Sequence, residues 1–166
     1  VPNLRLGTLS SRFRLDHQPS HRALDEALAT CDLLHVLLER DGRILLMRRA
    51  GTGFFDGLYS LPGGHVEEGE SVGQTAVREM AEELGVMIDA SVLRVVGVIH
   101  RRSDTNRIDF FVSAPVWGGE PHVAEPDKCD ALGWFPRNAL PEAVVPYVRE
   151  ALAEGDGPWI RESGWR

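Results

Sequence analysis

Gly63-Gly64-His65-Val66-Glu67-Glu68-Gly69-Glu70-Ser71-Val72-Gly73-Gln74-Thr75-Ala76-Val77-Arg78-Glu79-Met80-Ala81-Glu82-Glu83-Leu84-Gly85-Val86 is the stretch on which the reading of this chain turns. Ser71 is a good N-cap residue, and Gly85 stands where a left-handed residue would end a helix, so residues 71–84 are expected to be helical. At about 100° per residue, Val77, Met80, Ala81 and Leu84 fall on one side, which is expected to face a sheet. Glu79, Glu82 and Glu83 fall within an arc of about 100° elsewhere on the wheel.

Three carboxylates this close repel one another. Two unit charges ~6 Å apart cost about 0.7 kcal/mol in water and about 3 at an effective dielectric of 20. Glu79 and Glu83 form a like-charged i,i+4 pair, and all three lie near the helix C-terminus, where the dipole disfavours anions. Local stability does not select this arrangement. A hard dication with oxygen ligands reverses the sign of each effect, and magnesium commonly takes a few carboxylates together with substrate phosphate oxygens. Taken alone, the cluster also reads as a solvated acidic helix face.

Working outward, Leu33, Leu34, Val36, Leu37 and Leu38 form a strand-like run, followed by the hairpin signal Asp41-Gly42. Ile44 to Met47 form a second run that ends at Arg48-Arg49. Gly51, Gly53, Asp56 and Gly57 mark a loop, and residues 58–61 read as a short strand. Two further strands are expected over residues 92–99 and 108–112, another over 132–135, and a helix over 140–152. Residues 1–30 lack clean periodicity and read as a flexible or loosely docked arm, with a short helix expected within 21–29. Strands before and after one central helix predict an α/β sandwich with a mixed sheet.

The 166 residues suit one domain, and their 43% hydrophobic and 26% charged content excludes disorder as the main state. No apolar run reaches the ~18 residues that span a bilayer. The net charge of −7 disfavours duplex nucleic acid as a partner. Cys31 and Cys129 make no disulfide framework, and no export signal is read, so a cytoplasmic location is expected.

Gly64, Glu70, Arg78, Glu79, Met80, Glu82, Glu83, Gly85 and Val86 match the Nudix box, G-x5-E-x7-R-E-U-x-E-E-x-G-U with U aliphatic, at every specified position. One window does so by chance with a probability on the order of 10⁻⁹. The chain therefore resembles the Nudix hydrolase superfamily, over residues 31–160, and specifically its MutT-like members. The resemblance implies an α/β/α sandwich with a mixed central sheet. It also implies a box that forms a loop–helix–loop holding a divalent metal, Mg2+ or its substitute Mn2+, against a diphosphate. By the same resemblance Glu79, Glu82 and Glu83 are metal ligands, completed by the Gly63 carbonyl. Glu79 and Glu82 are then the catalytic pair, with Glu82 chosen as general base. Gly64, Glu70, Arg78 and Gly85 support the box, Glu70 and Arg78 as an ion pair.

Arg48 and Arg49 enter the loop before the box and are candidates for substrate phosphate. Arg49 stands where MutT-like members carry a phosphate-binding arginine. Glu125-Pro126-Asp127-Lys128-Cys129, followed by Trp134-Phe135-Pro136, resembles text in members that act on nucleoside triphosphates. Either Glu125 or Asp127 is expected to reach the metal or the water. Phe54, Phe55 and Tyr59 either stack on a base or cover the sheet, whereas Trp134 and Phe135 are expected to pack in the core. The implied activity is hydrolysis of a nucleoside diphosphate linked to X, foremost a nucleoside triphosphate to monophosphate and pyrophosphate. The alternatives are an ADP-ribose or nucleotide-sugar pyrophosphatase and a non-catalytic nucleotide sensor. A small-molecule nucleotide is the expected partner. Dimers are frequent among similar proteins, so a homodimer is an open expectation.

Overall fold

The computed structural model describes residues 33–103, 106–155 and 157–165. The chain divides into two units, Val1–Cys31 and Asp32–Arg166, and every described residue belongs to the second. The arm expected over residues 1–30, and the short helix within it, lie outside the described residues.

Strand β1 (Leu33–Leu37) is followed by β2 (Glu39–Arg40), β3 (Arg43–Arg49) and β4 (Tyr59–Ser60). Asp41 and Gly42 both have positive φ, 51° and 69°, the conformation that a two-residue hairpin turn requires. Helix α1 (Val72–Leu84) leads to β5 (Met87–Ile88), a short 3₁₀ turn (Ala90–Val92), β6 (Arg94–Arg102), β7 (Asn106–Ser113), β8 (Trp117–Gly118) and β9 (Cys129–Pro136). Helix α2 (Pro146–Ala153) and β10 (Trp159–Ser163) complete the described chain.

One sheet runs in the order β1-β7-β6-β10. It is mixed: β1 is parallel to β7, β6 antiparallel to β7, and β10 parallel to β6. A second sheet joins β2, β3 and β4, with β9 antiparallel to β3, and β5 pairs with β8. This is the expected α/β class with a mixed sheet. Leu34 and Val36 of β1 join α1 residues Ala76, Met80 and Leu84 in one buried cluster. Leu37, Phe111 and Ile99 join α2 residues Val148, Ala151 and Leu152 in the other. The two clusters lie on opposite faces of β1, as strand alternation dictates.

Two expectations are corrected, and one element is new. Val77 and Ala81 do not face the sheet: Val77 is 37% exposed and Ala81 is exposed. The buried stripe runs through Ala76, Met80 and Leu84, each four residues on, with Thr75 beside it. The sequence offers two adjacent apolar rows, and the core takes the one with the larger side chains. Helix α2 begins at Pro146 and not at Leu140. A proline disfavours helix in the residue before it but suits the first helical position, and the backbone of 143–145 pairs with Tyr59 instead. Strand β10, unanticipated, adds a parallel edge to β6. Among the described residues no helix is long and apolar enough to cross a membrane.

Candidate active site

Strand β1 carries the start of the acidic stretch along its free edge. Leu34 N–H donates to the Gly64 carbonyl and Val36 N–H to the Pro62 carbonyl, both at 2.9 Å. Gly63 between them has φ 140°, and a Cβ there would collide with the Leu34 carbonyl. Only glycine lets the turn press this close to the strand. So placed, the Gly63 N–H donates to Glu83 Oε2 at 2.8 Å. At Gly64 a Cβ would collide with the Glu79 carboxylate. Two of the three helix glutamates therefore lie against the backbone of two adjacent glycines.

Helix α1 is built to hold its end of this contact. Ser71 accepts from Gln74 N–H, and the Gln74 side chain accepts from Ser71 N–H, a reciprocal cap. Gly85 ends the helix in the left-handed conformation, φ 64°. Arg78 organises the carboxylates. Its Nε and Nη2 grip Glu70 at 2.8 and 2.9 Å, and its Nη1 donates to Glu79 at 2.8 Å and to Glu82 at 3.2 Å. Thr75 Oγ1 donates to the same Glu70 carboxylate at 3.0 Å. Arg78 first, and Thr75 after it, hold Glu70 down at about 2. The paired charges raise the Arg78 guanidinium further.

The other two carboxylates are pushed the opposite way. Burial raises Glu79 against the pull of Arg78. Burial also raises Glu83, to about 8, and the neighbouring charges of Glu79 and Glu125 add to it. Glu82 is the open member, with 51% of its side chain exposed. Among the described residues no three His, Cys, Asp or Glu side chains converge on one point, so the carboxylates do not form a closed cage. The donor set nonetheless fits a hard divalent cation. It is all oxygen, and Glu83 is a partly buried carboxyl whose charged form is disfavoured by desolvation and by its carboxylate neighbours. Magnesium in particular takes one or two carboxylates and completes its shell with water and substrate phosphate.

The segment that carries a further acid is tied to the end of α1 through the backbone. His122 N–H donates to the Leu84 carbonyl at 3.1 Å and Ala124 N–H to the Glu83 carbonyl at 3.0 Å, satisfying helix-end acceptors. That strap leads into Glu125, whose charge acts on Glu83 and whose Oε1 accepts from Lys128 at 2.8 Å. Of the two candidates, Glu125 is the one whose charge bears on Glu83. Asp127 is exposed.

The residues matching a model of the NUDIX domain run from 32 to 162. The chain belongs to the Nudix hydrolase superfamily. It is 35% identical over 114 residues to the ADP-ribose pyrophosphatase of Methanocaldococcus jannaschii, covering 68% of this chain and 66% of that protein. It is 42% identical over 77 residues to the CTP pyrophosphohydrolase of Escherichia coli, covering 46% of this chain and 55% of that protein. The chain thus matches at most about two-thirds of the length of either relative. A crystal structure of a MutT Nudix hydrolase from Burkholderia pseudomallei superposes with a TM-score of 0.68 at 32% identity, covering 74% of this chain and 95% of that one. The described domain is of the MutT-like kind, a pyrophosphohydrolase class whose members use divalent cations.

In this Nudix domain the other sequence candidates separate. Arg48 is a bidentate partner of Asp130, at 2.7 and 3.0 Å, on an exposed strand end. Arg49 turns its Nε to the Phe54 carbonyl at 2.8 Å and its Nη2 to Thr52 Oγ1 at 3.1 Å, while its charge still acts on Glu83. Phe135 packs against one core cluster and Trp134 against the other.

One set of residues escaped the sequence reading. Asp109 is fully buried and accepts from Arg101 Nε at 2.9 Å. The buried His35 has its Nε2 3.6 Å from Asp109 Oδ1, beyond hydrogen-bond reach. Burial works to raise the Asp109 carboxyl, but His35 and Arg101 outweigh it and hold it below its ordinary value. Arg101 also lies over the Tyr147 ring, 4.3 Å from its centroid. No local spacing signals this group, because strand register alone brings its members together.

Proposed function

We propose that the protein hydrolyses a nucleoside diphosphate linked to X, with a nucleoside triphosphate as its substrate and Mg2+ as its metal, releasing a nucleoside monophosphate and pyrophosphate. The observation that carries this reading is the seating of Glu79 and Glu83 against Gly63 and Gly64, with the charge of Glu125 bearing on Glu83. Glu79, Glu82, Glu83 and the Gly63 carbonyl would hold the cation, which supplies charge neutralisation for the diphosphate and acidifies the attacking water.

The chain's own groups do the rest. Arg78 fixes Glu79 and Glu82 from one side, and Glu70 and Thr75 fix Arg78. Glu82, the most exposed of the three, takes the proton of the water as it attacks phosphorus and the bond to the leaving oxygen breaks. Arg49 adds a positive charge for the phosphates. The likeness to a CTP pyrophosphohydrolase and the stretch from Glu125 to Pro136 support the triphosphate. The setting proposed is cytoplasmic, with no duplex nucleic acid or membrane as partner.

A second reading, ADP-ribose as substrate, is favoured by the likeness to the Methanocaldococcus enzyme over 68% of this chain. A comparison of kcat/KM for common and oxidised nucleoside triphosphates against ADP-ribose, in one magnesium buffer, separates the two. A tenfold advantage for ADP-ribose, about 1.4 kcal/mol of transition-state stabilisation, overturns the triphosphate. Full activity in excess EDTA overturns the metal, and tight nucleotide binding without turnover makes the protein a sensor.

A further inference from the structure

Three aromatic residues stand in or beside the loop between β3 and β4, and the structure gives them different fates. Tyr59 packs edge-on against Phe135, with centroids 5.1 Å apart. Phe55 is partly buried against the core and lies 6.2 Å from the Tyr147 ring. Phe54 meets Phe55 edge-on, with centroids 4.3 Å apart, and is left 55% exposed. A single exposed apolar side chain is ordinary, but the loop around this one is not loose. Asp56 accepts from Thr52 N–H at 3.1 Å, Thr52 Oγ1 at 2.6 Å and Gly53 N–H at 2.9 Å. Arg49 holds the Phe54 carbonyl and the Thr52 hydroxyl, and Gly57 N–H closes onto the Arg49 carbonyl at 2.7 Å. Phe55 takes φ 54°, a left-handed conformation that is a real outlier for so bulky a residue. Strain and hydrogen bonds are thus committed to a rigid loop that keeps a phenyl ring in solvent.

The loop adjoins the acidic site. Ala50 N–H donates to the Lys128 carbonyl at 2.9 Å, and Lys128 pairs with Glu125. Arg49, which braces Phe54, acts electrostatically on Glu83. The loop is thus tied by its backbone to the segment that carries Lys128 and Glu125.

We propose that Phe54 is a stacking platform for the base of the nucleotide, and that Arg49 and Asp56 are the positioning residues that hold it ready. This rests on the nucleotide reading above and adds to it the residue that binds the base. A preformed aromatic face binds a flat base without paying to order a side chain. It also tolerates every base, because each has a π-face.

The test uses the full chain in magnesium buffer. It measures KM for nucleoside triphosphates and ADP-ribose, and the inhibition constant of inorganic tripolyphosphate, which has phosphates but no base. Phe54→Ala and Phe54→Leu are expected to raise the nucleotide KM by roughly tenfold or more, the usual scale for a lost base stack. Phe54→Trp should stay within about threefold of the parent, and the tripolyphosphate constant within about twofold in all three. An unchanged KM in Phe54→Ala overturns the platform and leaves the proposed function standing. So does a Phe54→Leu variant as good as the parent, or an equal loss of tripolyphosphate binding, since either makes the role one of apolar cover or loop support. Absence of turnover and binding of any nucleotide by the parent protein overturns the nucleotide reading and the platform together.

Discussion

Two groups of paired charges flank strand β1, and they are built in opposite ways. On one side Arg78 gathers Glu70, Glu79 and Glu82. All four belong to one helix and the turn before it, and their side chains are 13–51% exposed. On the other side Arg101, Asp109 and His35 come from three strands, with Asp109 fully buried. The first group stays within reach of water and leaves Glu82 open. The second is sealed. A buried pair gains strong attraction but must offset a large desolvation cost, so it tolerates no missing partner. Function is expected to be sensitive to the first group and folding to the second.

The largest effect expected is on the sealed side. Asp109→Ala removes a buried carboxylate from Arg101 and His35 and should cost roughly 3–5 kcal/mol, the usual range for breaking a buried pair. In a domain of this size that lowers Tm by about 10 °C. A shift under 2 °C by calorimetry would show that the buried pair carries no such load.

The open side should answer in rate. Glu83→Gln is expected to reduce kcat by about two orders of magnitude or more, like the loss of other groups that stabilise transition-state charge. It should leave Tm unchanged or slightly raised, since the amide oxygen can still accept from Gly63 and the carboxyl it replaces is one whose charged form burial already disfavours. Steady-state rates and a melt on the same preparation test both halves. A large fall in Tm would make Glu83 a structural residue.

Smaller changes sharpen the contrast. Glu70 is held at about 2 against an ordinary 4.5. A depressed carboxyl contributes stability that is present above its unfolded value and lost as pH falls toward its folded one. The parent should therefore lose stability between about pH 4.5 and 2 with a steeper slope than Glu70→Gln. Parallel acid limbs for the two proteins would count against the Arg78 pairing. Ser71→Ala, which removes only the cap of α1, should cost about 1 kcal/mol in urea unfolding.

The open group was legible because its spacing is local. Glu70, Arg78, Glu79, Glu82 and Glu83 lie within fourteen consecutive positions, and a helix converts those spacings directly into neighbours. The cap at Ser71, the stop at Gly85 and the hairpin at Asp41-Gly42 were readable for the same reason. Which apolar row of α1 turns inward was not, because two rows compete and the sheet selects between them. Nor was the choice between Glu125 and Asp127, which depends on a strap hydrogen-bonded to the far end of α1.

By itself, then, the sequence determined the family, the helix and its acidic edge, and the run of strands around it, since each rests on residues near one another along the chain. Tertiary structure alone decided that Gly63 presses on Leu34, that Arg49 braces the loop bearing Phe54, and that β10 adds to β6. It also decided the sealed group. Ile99 pairs with Asp109 and Arg101 with Arg107 in the β6–β7 register, and His35 pairs with Phe111 in the β1–β7 register. Arg101 and His35 therefore each meet Asp109 on a diagonal, where long and aromatic side chains still reach. A slip of one residue would turn them to the other face, and that register is set by packing across the sheet.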